Sequence, residues 1–215
     1  GSVRINGKRL GEYAPDELAR VRGYLPQHST LEFDFTVEEV VLLGRSPHGL
    51  GVNGNGQIEL VQQALAACGI AELAERVYTT LSGGEQQRVH LARVLAQIWQ
   101  PPAQGSRVLL LDEPTSSLDL GQQHGVLGAV RRFARQGTAV LMVLHDLNLA
   151  ARFADRVLLL HQGRVLATGT PEAVLTSEHL RTAFAVHTRL LQEPALGVPL
   201  LVTLGRVDAH DEEAS

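Results

Sequence analysis

Lysine is almost absent from this 215-residue chain: Lys8 is the only one, against eighteen arginines. Any chemistry that needs a lysine ammonium must use Lys8 or do without it. Cysteine is as scarce. With Cys68 alone, an internal disulfide and a Cys-rich metal centre are both excluded, and its place in an apolar helical stripe predicts a buried thiol. No apolar run approaches the ~18 residues that span a bilayer, and no signal-peptide core opens the chain, so a protein of the cytosolic side is expected. Nor is there an excess of positive charge. The net charge of −4 provides no basic field for nucleic acid. What is present, 44% hydrophobic and 20% charged residues, suits one domain, or one core with a smaller subdomain.

Punctuation along the chain sorts it into elements. "VRINGKRL" reads as a hairpin turning at Asn6-Gly7. "APDELARV" is a short helix with Pro15 near its start, and "GYLPQHS" a brief strand running into a loop. Thr36 and Glu39 stand in capping-box spacing. Ile58, Val61, Leu65 and Cys68 predict an amphipathic helix over 57–68, and the whole of 36–97 reads as helical. "RVLLLDEP" is a continuously apolar run of the kind found in parallel strands buried on both faces. Val126, Leu127, Val130 and Phe133 share one helical face that stops at Gly137, and "TAVLMVLHD" is a second buried strand. Strand, helix and strand form a βαβ unit. A hairpin turning at Gln162-Gly163 follows, and helices from Pro171 and near Glu178 are expected to close the ordered part. The acidic residues 206–215 are expected to fray.

Three clusters carry chemistry. Asp112 and Glu113 end a parallel strand, where doubly wound α/β proteins bind ligands. An Asp there can hold Mg²⁺ against nucleotide phosphates, and an adjacent Glu can orient or deprotonate a water. His145 ends the next strand of the βαβ unit, on the same edge of the sheet. A solvated strand end explains either alone, but the two together weaken that reading. Second, Ser82-Gly83-Gly84-Glu85 fits a capping box, yet a cap does not explain two glycines in the first turn, each costing up to about 1 kcal/mol. Glycines there let a phosphate reach the backbone N–H groups of a helix N-terminus. Third comes an absence. A phosphate-binding loop needs G-x-x-x-x-G-K-[ST]. Lys8 follows Gly7, but Arg9 stands where Ser or Thr is required and Ser2 where the first glycine should be.

Together these segments resemble the nucleotide-binding subunit of an ATP-binding-cassette (ABC) transporter. "LSGGEQQR" resembles the family signature, "RVLLLDEP" its Walker B strand, "SSLD" (Ser116–Asp119) its D-loop, "LPQHS" its Q-loop with Gln27, and "VLHDLNLA" its switch region with His145. The resemblance implies a P-loop NTPase-type (RecA-like) α/β fold over 1–205, with a parallel sheet core and an inserted helical subdomain at about 29–99, incomplete at the N-terminus where the family's P-loop would lie. It implies ATP and Mg²⁺ as ligands, Glu113, His145 and Gln27 as catalytic, and Asp112 and Gln27 on the metal. Ser82, Gly83, Gly84 and Glu85, with Asp119, would serve a nucleotide held by a second subunit in a head-to-tail homodimer. Permease subunits, and indirectly a periplasmic haem-binding protein, are the further partners, at the cytoplasmic face of a bacterial inner membrane. "LPQHSTLEFDFTVEEVVLLGRSPH" is similar to haem-import ATPases and more distantly to ferric-siderophore importers. A chain without a P-loop is expected to be inactive alone. A nucleic-acid or ribosome ATPase, which would bring tandem cassettes or basic arms, and a non-catalytic remnant are the competing readings.

Overall fold

The computed structural model describes residues 1–27, 29, 31–49, 54–195 and 197–207. They fall into two compact units, one within 1–143 and the other from 144 onward.

The first unit opens with β1 (Arg4–Ile5) and β2 (Lys8–Arg9), an antiparallel pair. Its turn takes Asn6 (φ 49°) and Gly7 (φ 78°) into the left-handed region, as Asn-Gly favours. Helix α1 (Pro15–Val21) starts on its proline and leads into β3 (Arg22–Leu25). Three more helices follow: α2 (Val37–Leu43), α3 (Gly54–Ala67) and α4 (Gly83–Gln97). Thr36 caps α2 and receives the Glu39 carboxylate in return, completing the box its spacing predicted. On α3, Val61 and Leu65 are fully buried with Cys68 just beyond the helix end, but Ile58 is 48% exposed and does not belong to the inward stripe. The described residues of 36–97 are helix, short 3₁₀ turns and loops, with one isolated bridge, Thr36 to Val77.

β4 (Arg107–Asp112), α5 (Leu120–Arg135) and β5 (Thr138–Val143) make the βαβ unit. β3, β4 and β5 form a parallel sheet with β4 in the middle. Val126, Leu127, Val130 and Phe133 are all buried. β5 departs from expectation. Rather than being buried on both faces, it leaves Leu141 67% exposed, with Val143 also exposed. Its paired neighbour among the described strands is β4.

The second unit holds α6 (Leu147–Phe153), the hairpin β6 (Val157–His161) and β7 (Arg164–Gly169), then α7 (Pro171–Val174) and α8 (Ser177–Phe184). Gln162 and Gly163 make the hairpin turn, both at positive φ. Order does not end at these helices as expected. A second, longer hairpin follows, β8 (Val186–Glu193) paired with β9 (Val198–Arg206). Only Leu201 of this ribbon is buried, joining Ala151, Leu175 and Leu180 in a small core. Asn148 pins the ribbon to α6, accepting from the Leu201 N–H at 2.8 Å and donating to its carbonyl at 3.2 Å. Of the tail expected to fray, 206–215, Arg206 instead ends β9 and the Val207 N–H donates to the Ala185 carbonyl, while 208–215 lie outside the described residues.

Candidate functional site

Strand register builds the first cluster. Leu25 of β3 lies opposite Leu111 of β4, so the two residues that follow each strand run side by side. Gln27 Nε2 thereby donates to Glu113 Oε2 at 2.8 Å, across 86 residues of chain. Glu113 sits just past β4 with φ 48°, a left-handed conformation costing a non-glycine residue on the order of 1 kcal/mol. Its own carbonyl accepts from the Ser116 N–H and hydroxyl, which fixes the turn leading to Asp119. Asp112 ends the strand, half-buried. Asp112 and the Gln27 Oε1 are hard oxygen donors of the kind Mg²⁺ takes when phosphates complete its shell. No group of three or more His, Cys, Asp or Glu side chains converges as a metal cage among the described residues. The donor set fits an ion that arrives with a nucleotide better than one held by protein alone.

The second cluster is the N-terminus of α4. Ser82 Oγ accepts from the Glu85 N–H, while the Ser82 N–H and hydroxyl both donate to Glu85 Oε2 at 2.8 Å. These bonds, Ser82's foremost, hold the Glu85 carboxyl below its ordinary range, aided by Arg76 and Arg88. The carboxylate is thus committed to the cap. The two glycines differ in purpose. A Cβ on Gly83 would meet nothing within 4 Å, so its backbone lies open to an approaching anion. A Cβ on Gly84 would come 3.0 Å from Gln122 Oε1 and 3.2 Å from the Ser117 carbonyl. Gly84 therefore lets α4 close on the segment after β4. In that segment Asp119 caps α5, accepting from the Gln122 N–H at 2.8 Å.

Lys8, the single lysine, is bound to Glu17 at 2.8 Å and lies over the Tyr13 ring. It belongs to the N-terminal hairpin and its neighbouring helix. His145 is in the second unit, exposed, one residue before Asp146, whose carboxylate caps α6. The first unit thus brings together Gln27 and Glu113, with Asp112 adjacent in sequence, and separately Ser82–Gly84 with the Ser117–Gln122 segment.

Sequence reasoning missed two features. Gln122 as the neighbour of Gly84 has no local signal, because 38 residues separate them. Tyr78 and His90, both 1% exposed, form a buried pair with Tyr78 Oη 2.7 Å from His90 Nε2 and the rings edge to face. A histidine inside the apolar run "RVHLARVLA" was the available clue. Burial, and then the Arg93 charge, push the His90 imidazole down to about 4 against the opposing Ser29 main chain.

The profile of the ABC transporter family matches residues 1–116. The hemin import ATP-binding protein HmuV of Gloeobacter violaceus is 54% identical over 205 residues, covering 95% of this chain and 74% of that protein. HmuV of Pseudomonas aeruginosa is 50% identical over 202 residues, covering 94% and 78%. Among solved structures, an ABC transporter in an inward-facing conformation superposes with a TM-score of 0.71 at 31% identity, over 86% of this chain and 73% of that one. The ATP-binding cassette MJ0796, dimeric in a post-hydrolysis state with ADP and Pi, gives 0.67 at 26% identity over 80% and 73%.

Proposed function

Because the chain belongs to the ABC transporter family, we propose that it is the ATP-binding subunit of a haem importer, working at the cytoplasmic face of a bacterial inner membrane. Its partners are a second ATP-binding subunit and a permease, fed by a periplasmic haem-binding protein, and nucleic acid is not among them. The observation that carries the reading is the 2.8 Å bond between Gln27 and Glu113 at the adjoining ends of two parallel strands. It supports a site in which the base and the residue that reads the permease are physically joined. Haem as cargo is supported by the names of the relatives. No helix among the described residues is long and apolar enough to cross a membrane.

In this reading Glu113 takes the proton of the water that attacks the γ-phosphate, and Gln27 orients that water and senses the γ-phosphate. His145 is assigned to the same phosphate. Asp112 and Gln27 Oε1 hold Mg²⁺, which when bound neutralises phosphate charge. Gly83 and Gly84 present backbone N–H groups to the nucleotide of the other subunit, with Ser82 beside it as the helix cap, and Asp119 fixes the turn beside them. Glu85 acts on that nucleotide by holding Ser82 in place. The 215 residues contain no G-x-x-x-x-G-K-[ST] loop, and hydrolysis by this chain alone is therefore negligible.

Liposomes bearing a haem permease test this. The chain is paired with a hemin import ATP-binding protein whose own signature serine has been replaced by arginine, leaving one composite site that uses the partner's phosphate loop and this chain's Ser82. Turnover should appear with the pair, rise with haem-loaded binding protein but not with a ferric-siderophore one, and vanish with Ser82→Arg. Steady turnover by this chain alone, or no turnover by the pair, would contradict the reading. Stimulation by the siderophore protein only would overturn haem and leave the ATPase assignment intact.

A further inference from the structure

His90 and Tyr78 are buried in the first unit and belong to neither cluster of the site. Tyr78 is in the 3₁₀ turn that precedes Ser82. His90 is on α4, eight residues after Ser82 and so about 12 Å along the helix axis. The imidazole has two nitrogens to satisfy. Nε2 meets Tyr78 Oη at 2.7 Å. Nδ1 is sealed from solvent and has no partner at hydrogen-bond geometry. Its neighbour is the Ser29 main chain, which favours a proton on the ring. Ser29 is two residues beyond Gln27.

A buried ring nitrogen without a partner costs on the order of 1–3 kcal/mol, so its persistence calls for a reason. Arg93 stands near both rings, and its charge adds to burial in keeping the imidazole to a single proton. If Tyr78 donates to Nε2, that proton lies on Nδ1, facing the segment after Gln27.

We propose that His90 is a positioning residue, joining the segment that follows Gln27 to the helix that presents Ser82–Gly84, with Nε2 anchored by the Tyr78 hydroxyl and Nδ1–H offered to the Ser29 carbonyl. The pair gives the two parts of the nucleotide machinery a common mount within one subunit. A hydrogen bond from His90 to Ser29 ties the main chain two residues after Gln27 to α4, whose N-terminus is the phosphate-facing end. The inference rests on the reading of Gln27 and Ser82–Gly84 as nucleotide-site elements. Ring protonation is measured without nucleotide, however, so the two can fail separately.

Long-range proton–nitrogen NMR of the imidazoles in the full chain decides the first point. His90 should hold its single proton on Nδ1 between about pH 5 and 8, and Tyr78→Phe should turn it into a tautomer mixture. A proton on Nε2, or a mixture in the unsubstituted chain, overturns the proposal. The second point uses two near-isosteres. In His90→Asn the amide N–H occupies the place of Nδ1–H, and in His90→Gln the amide occupies the place of Nε2. Backbone order parameters at the Gln27 and Ser29 amides should stay near those of the parent in His90→Asn, and fall toward about 0.6 or below in His90→Gln. Equal behaviour of the two variants, whether both unchanged or both loosened, marks a packing role and overturns the proposal. Should both variants fail to fold, the ring protonation and Tyr78→Phe still decide it.

Discussion

Gly83 and Gly84 are neighbours of the same type in the same helical turn, yet the structure gives them opposite constraints. Gly83 faces open space and Gly84 abuts Gln122 and the Ser117 carbonyl. Gly83→Ala should therefore stabilise the fold by up to about 1 kcal/mol, the helix-propensity gain. Gly84→Ala should lie about 1–3 kcal/mol below it, the usual cost of forcing extra volume into a packed contact. Denaturant unfolding of the two variants measures the difference, and equal stabilities would show that neither glycine is needed for packing. The capping box of Ser82 and Glu85 was legible because its partners are three residues apart. The purpose of Gly84 was not, since its neighbours are more than thirty residues away in sequence and nothing local announces them. Arg45 makes the same point. Its guanidinium is 1% exposed and donates to the Ala96 carbonyl and to the side chains of Gln57 and Gln100, so a residue that reads as surface in "LLGRSPH" instead holds the end of α4.

Elements with a strong local pattern were read correctly: the Asn6-Gly7 and Gln162-Gly163 hairpins, the amphipathic α5, and the βαβ unit that places Asp112 and Glu113 at a strand end. The β8–β9 ribbon was missed because it buries one residue, Leu201. A ribbon with so little inside has no clean alternation to show. β5 was over-read for the opposite reason. After Thr138 the run "AVLMV" is apolar throughout, and a continuous apolar run does not say which face is covered. Leu109 of β4, fully buried, and Leu141 of β5, largely exposed, separate the two cases. Leu109→Ala should cost about 2–5 kcal/mol. Leu141→Ala should change stability by no more than about 0.5 kcal/mol. Chemical denaturation of both variants provides the check, and a large loss at Leu141 would mean that the uncovered face of β5 is covered in solution.

Two hydrophobic cores, of unequal size, organise the molecule. That of the first unit runs from Leu25 through α2, α3, α4, β4 and α5 to Phe133, whereas that of the second unit centres on Ala151, Leu175, Leu180 and Leu201. Stability should therefore be uneven. Amides of α6, α8 and the β8–β9 ribbon should exchange through openings of lower free energy than those of α4 and β4, as followed by hydrogen-exchange mass spectrometry. A single common opening free energy across both units would refute this. Trp99 has a further consequence. It donates to Gln63 at 3.0 Å, and its ring stands edge-on to Phe133 at 5.1 Å. It is the only tryptophan, and the three tyrosines, Tyr13, Tyr24 and Tyr78, share its unit. Residues 144–215 carry neither, so absorbance at 280 nm and the emission of tryptophan and tyrosine arise from side chains of the first unit, and the second unit holds no such reporter of its own.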